Sequence, residues 1–96
     1  MNDKELHLQK KQAQLEEWRA DLNKLRAKAL GASADAQLEM NKHIRSLSTL
    51  IDDNSTLLSE FSKSSGEAWD SLKIGVETAW EAMKNSVNDA KQKYKS

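Results

Sequence analysis

The chain has 96 residues, so it is one domain at most, and its 36 apolar residues, 11 of them alanine, make only a thin core. No cysteine is present, which excludes disulfides, thiolate metal sites and a cysteine nucleophile. Fifteen basic and fifteen acidic groups cancel, and they also nearly cancel locally, at +2 over residues 1–30, −2 over 31–65 and zero over 66–96, so no segment supplies the basic stripe of a nucleic-acid partner.

The absence of proline, three glycines and 31% charged residues suit long solvated helices. At the start of the chain Asn2 stands three residues before Glu5, a capping box that opens a helix at about residue 3. Along that helix Leu15, Trp18, Leu22, Leu25, Ala29, Ala32 and Ala36 are spaced 3, 4, 3, 4, 3 and 4. This is the heptad alternation by which one stripe faces a partner helix.

The stretch KALGASADAQ decides the architecture. One reading takes Gly31 as a terminator and Ser33 as a new N-cap, giving three helices of similar length in a spectrin-like bundle. The preferred reading runs the helix through. The 3-4 rhythm keeps its phase across Gly31, Ser33 has no Glu or Gln three residues on, and five alanines lie between residues 27 and 36. One helical glycine costs only about 1 kcal/mol against alanine. Small residues at Ala29, Gly31, Ala32 and Ala36 also permit two backbones to approach closely.

Beyond Ala36 the stripe continues as Met40, Ile44, Leu47, Ile51, Asn54, Leu58 and Phe61. Its two consecutive four-residue steps form a stutter that relaxes left-handed supercoiling. Asn54 sits on the stripe inside the weak helix formers DDNST, which reads first as a local loosening and second as a register-fixing buried polar residue. In SKSSGEAW, Ser64 precedes Glu67 by three, a second capping box, so residues 62–65 read as a tight turn that reverses the chain.

The last helix, expected over about 65–94, carries an internal repeat. GEAWDSLKIGV and ETAWEAMKNSV match at Ala68/Ala79, Trp69/Trp80, Lys73/Lys84 and Val76/Val87, and a decayed third copy keeps Ala90, Tyr94 and Lys95. The apolar positions Trp69, Leu72, Val76, Trp80, Met83, Val87, Ala90 and Tyr94 therefore return every eleven residues. Eleven residues complete three turns at about 3.67 per turn, so such a stripe stays on one face of a nearly straight helix.

Groups able to do chemistry are sparse. His7 and His43 are the only histidines, and neither belongs to a nucleophilic triad. Glu39 and His43 form an ordinary i,i+4 pair, and Asp52–Asp53 lacks the glycine and terminal glutamate of a calcium loop. No catalytic residue, metal or cofactor is expected. Trp69 and Trp80, each followed four residues later by a lysine, admit two uses: packing across a helix pair, the preferred reading, or lying in a membrane interface with lysines reaching anionic lipid. Trp18 has the same two options. The N-terminus has no apolar run of signal-peptide length, and no window approaches the roughly 18 apolar residues of a spanning helix, which predicts a soluble cytoplasmic protein.

LEEWRADLNKLRAKALGASADAQ followed by SGEAWDSLKIGVETAWEAMKNSVNDAK resembles a family of small bacterial coiled-coil proteins of about this length, commonly labelled as stress-response proteins. The most specific element is G-E-A-W-x-x-L-K-x-G-V-E-x-A-W, here Gly66 to Trp80; the N-terminal half matches in pattern more than in letters. Gly31 and the serine-rich stretch between Ser46 and Ser65 depart from the family's usual charged, glycine-free helix. More distantly, the repeat looks like those of late embryogenesis abundant proteins and apolipoproteins. The resemblance implies a stress-linked, non-enzymatic role and assigns no functional residues.

The resulting expectation is an all-α, antiparallel coiled-coil hairpin, with a helix over about 3–62, a turn at 62–65 and a helix over 65–94. A sixty-residue helix is about 90 Å long, more than the second helix covers, so a homodimer or higher homo-oligomer is expected. Its packing residues are Trp18, Leu22, Leu25, Ala29, Ala36, Ile44, Leu47, Ile51, Leu58, Trp69, Leu72, Val76, Trp80, Met83 and Val87. The alternative function is a peripheral lipid-surface protein using residues 66–94.

Overall fold

Helix-favouring composition is realised almost throughout: a computed structural model, which describes residues 3–95, contains three α-helices and, among the described residues, no strand. They are α1 (Asp3–Leu30), α2 (Ala34–Ser62) and α3 (Gly66–Lys93). The capping box expected at Asn2 lies outside the described residues.

The continuous helix through Gly31 is not what the chain forms. At the end of α1 the amides of Gly31 and Ala32 donate back to the Lys28 and Ala29 carbonyls at 3.1 and 3.2 Å, three-residue closures that tighten the last turn. Ser33 then adopts φ −60°, ψ 161°, an extended conformation incompatible with helix, and its Oγ accepts from the Ala36 amide at 3.4 Å. A serine N-cap needs no glutamate three residues on; the hydroxyl alone satisfies one of the orphan amides. The fold therefore reverses here.

The second turn falls close to its expected position, with the caps divided differently. Ser65, not Ser64, is the N-cap of α3 and accepts from the Ala68 amide at 3.4 Å. Ser64 instead closes α2, its Oγ donating to the Phe61 carbonyl at 2.7 Å. Lys4 reaches this turn from the start of α1, donating to the Ser64 carbonyl at 2.7 Å.

With two reversals, α1 and α3 run parallel and α2 runs antiparallel to both. All three pairs touch, α1 with α2 most and α1 with α3 least. The long dimension is 51 Å and the others 20 and 17 Å, far short of the roughly 90 Å of a sixty-residue helix. The packing is consistent with a helical bundle.

The stripe read from the sequence is the core. Leu15, Trp18, Leu22, Leu25 and Ala29 of α1, Met40, Ile44, Leu47, Ile51, Leu58 and Phe61 of α2, and Val76, Trp80, Met83 and Val87 of α3 are all buried. Trp69 and Leu72 are half-buried against this cluster. Ala36 is the exception: it is exposed, because α2 begins only at Ala34 and its first turn lies beyond the end of the core. Asn54 is buried on the stripe within an unbroken α2, so the loosening expected at DDNST does not occur. Apolar burial on either side, at Ile51 and Leu58, outweighs the weak helix propensity of that short segment.

Candidate binding groove

The titratable groups pair with one another across the helices. His43 Nε2 lies 3.8 Å from Glu39 Oε1, and Lys93 of α3 places its Nζ 3.1 Å from the same ring nitrogen and 3.5 Å from the same carboxylate oxygen. A lysine thus stands where a cation shared by Glu39 and His43 would have to sit. His7 Nδ1 approaches Glu77 Oε1 at 3.7 Å, while Lys11 holds the other oxygen at 3.2 Å. Asp52 faces Arg19 at 3.8 Å. Among the described residues no group of three or more His, Cys, Asp or Glu side chains is arranged to hold a metal ion.

The indoles point inward. Trp80 is only 2% exposed, its ring lies 6.1 Å from that of Trp18, and its Nε1 donates to the Lys11 carbonyl at 3.3 Å. Trp69 stacks on Phe61 at 6.0 Å and 15°, meets His7 edge-on at 6.0 Å, and carries the Lys73 ammonium 5.0 Å above its ring. These are packing contacts, in which each ring fills space between helices.

One open feature lies between α1 and α3, the pair of helices that touches least. A groove of about 210 Å³ runs between the C-terminal halves of these two helices. Trp18, Leu22 and Leu25 form one wall, Val87, Ala90 and Tyr94 the other, and Leu47 and Ile51 of α2 the floor. Lys24 and Lys28 of α1 and Lys91 and Lys95 after and along α3 stand on the rim, with Asp21 as the one acid among the lining residues. Four cations less one anion leave a formal +3 around an apolar trough.

Part of that charge belongs to the fold. Lys28 donates to the Tyr94 carbonyl at 2.7 Å, closing the α3 terminus, and Lys91 pairs with Asp21 at 3.6 Å across the groove. Lysines in a last turn also offset the partial negative charge of a helix C-terminus, and here two C-termini lie side by side because α1 and α3 are parallel. Lys24, six residues before the end of α1, is outside that explanation.

The expected packing residues and this groove overlap at Trp18, Leu22, Leu25, Leu47, Ile51 and Val87. The lysine rim was missed by the sequence reading, because charge summed along the chain gives +2 over residues 1–30 and zero over 66–96 and never sets Lys24 and Lys28 beside Lys91 and Lys95. The signal available was positional: basic residues near the ends of the first and third of three helices meet whenever the chain reverses twice. No family model, curated protein or solved structure matches the chain.

Proposed function

We propose that the protein is a non-enzymatic helical interaction protein, a spectrin-like three-helix bundle that receives an acidic amphipathic helix of a partner protein along the α1/α3 groove. The observation that supports this reading is the joining of an apolar trough to a four-lysine rim drawn from two helices. A helix laid antiparallel to α1 and α3 completes a four-helix arrangement, its apolar side chains entering the trough at i, i+3 and i+7 and its acids meeting the rim. The trough is large enough for side chains of such a helix, not for the helix itself.

The stress-linked setting rests on the likeness of the Gly66–Trp80 motif alone. A cytoplasmic location belongs to the same reading and is checked by cell fractionation. No helix among the described residues is long and apolar enough to cross a membrane. Surface attachment through Trp69 and Trp80 requires the bundle to open, since Trp80 is buried.

Tryptophan fluorescence tests the groove directly, because Trp18 lines it. A synthetic Glu/Leu amphipathic helix should bind and shift the emission, a Lys/Leu counterpart should not, and added salt should weaken the complex. The Lys24→Glu/Lys95→Glu variant should lose affinity by about ten-fold or more, as two attractions become repulsions. Equal binding of the two peptides, or no loss in the variant, overturns the proposal. Binding only to phosphatidylserine vesicles transfers the function to a lipid surface.

A further inference from the structure

Two facts about the first turn do not follow from the closed fold. The apolar stripe keeps its phase across it: Ala29, Ala32, Ala36 and Met40 are spaced 3, 4 and 4, and Ala29 to Met40 spans eleven residues, three helical turns at about 3.67 residues per turn. A reversing turn places no such demand, since α1 and α2 each choose their facing side independently. In addition, the reversal requires no glycine. Gly31 has no positive φ, and a Cβ on it meets only the Lys28 carbonyl oxygen at 3.7 Å, an ordinary contact. The bend is held by local bonds: the Gly31 and Ala32 amides donate to the Lys28 and Ala29 carbonyls at 3.1 and 3.2 Å, and the Ala36 amide donates to Ser33 Oγ at 3.4 Å.

We infer that residues 31–33 are a hinge, and that the chain also forms a domain-swapped homodimer in which the hinge straightens into one helix over about residues 3–62 and α1 packs on α2 and α3 of a second copy. The inference goes beyond the peptide-binding reading and stands without it.

In the swapped form the contacts of α1 with α2 and α3 are made again between copies, while those of α2 with α3 stay within each chain, so the two forms differ in energy chiefly at the hinge and by the entropy of association. Straightening exchanges the Ser33 cap and the two closures at Gly31 and Ala32 for a run of helical hydrogen bonds through an alanine-rich segment. It also gives a place to Ala36, exposed in the closed chain. Ala29, Ala32 and Ala36 then continue the stripe across the two-fold axis, where small side chains let the two long helices cross closely. The phase continuity, idle in the monomer, is what keeps both halves of that helix on the same face. The groove between α1 and α3 acquires one wall from each copy: Trp18, Leu22 and Lys24 from one, Val87 and Lys91 from the other.

The test refolds the protein from denaturant at high concentration and measures mass by light scattering and intrachain distance by spin labels. The chain contains no cysteine, so Gln12→Cys/Ser59→Cys gives two clean sites on facing helices. A doubly labelled chain diluted into unlabelled chains should show a short distance in the monomer. In the swapped dimer it should show about 70 Å, 47 residues at about 1.5 Å each.

Gly31→Ala favours the straight helix by about five-fold per chain, hence about 25-fold for a dimer of two chains. Gly31→Ala/Ser33→Ala should shift the equilibrium further, to a species of twice the 10.8 kDa chain mass. Ala34→Pro is compatible with the first position of α2 and blocks a continuous helix, so it should hold the protein monomeric. A long intrachain distance in dimers of the wild type or of either hinge variant supports the inference. Monomers throughout, dimers with the short distance, or equal dimerisation of Ala34→Pro overturn it.

Discussion

Trp80 ties α3 directly to α1, since its ring meets Trp18 and its indole nitrogen is satisfied by the Lys11 carbonyl. Trp80→Ala should destabilise the protein by about 3–5 kcal/mol, the range for removing a well-buried large ring. Trp80→Phe keeps much of the ring and loses the hydrogen bond, so urea melts should show a smaller loss. Lys84→Ala, exposed and four residues on, should change stability by less than about 0.5 kcal/mol. The burial of Trp80 was legible in the sequence because the eleven-residue repeat fixes one face. Its hydrogen bond was not, because an acceptor 69 residues away is a property of the packed helices. Ala36 shows the reverse error: periodicity assigned it to the stripe, and the position of the helix start exposed it.

Whether a helix begins or continues is settled by one or two residues, which is why element boundaries read less clearly than element faces. Ser33 and Ser65 cap α2 and α3 with the same geometry, extended backbone and a hydroxyl accepting from the amide three residues on. Insisting on a glutamate at the third position found a cap in Ser64, one residue early, and dismissed the one in Ser33. Ser65→Ala should cost about 1 kcal/mol and lower the melting temperature by about 4–8 °C for a domain of this size. Ser64→Ala removes only a hydroxyl bond at the end of α2 and should cost less. Ala34→Pro, with Ser33 already extended ahead of it, should raise stability by about 0.4–1 kcal/mol in denaturant titrations by restricting the unfolded chain. The repeat of α3 has its own test. Two alanines inserted between Val76 and Glu77 rotate the following residues by about 200°, so Trp80, Met83 and Val87 face water and amide exchange after residue 77 should quicken. An inserted copy of GEAWDSLKIGV restores the face and should do markedly less damage.

At the scale of the whole molecule, the need for a partner depends on how much of the apolar stripe the chain covers by itself. An unpaired sixty-residue helix demands a partner, but the described chain covers its stripe with its own three helices, leaving exposed mainly isolated residues such as Leu30, Leu38 and Ile74. Small-angle scattering of the closed form should give a radius of gyration near the 15.5 Å of the backbone and a rod about 51 Å long. A straightened chain about 90 Å in length is readily distinguished from it. Salt should matter little to folding, since pairs such as Arg19–Asp52 and Lys93–Glu39 are exposed and contribute about 0.2–1 kcal/mol or less each. Fold class and buried face were therefore readable from periodicity, which reports a property of each helix alone. The number of reversals was not, because both architectures bury the same stripe.

The thin contact between α1 and α3 also sets an order of events. Their ties join residues far apart in sequence, by 66 positions for Lys11–Glu77 and 69 for Trp80–Lys11, whereas each of the two hairpins closes through a turn of three residues. Local closures cost the least chain entropy, which predicts that α2 is the template on which its neighbours assemble and that the α1/α3 seam forms after the rate-limiting barrier. Substitutions in the middle of α2, such as Ile51→Val, should then slow folding. Lys11→Ala and Glu77→Ala should leave the folding limb of a chevron plot in place and speed only the unfolding limb. On this order the side of the molecule that is last to close is also the first to open, and a partner helix seated there would act as a brake on unfolding.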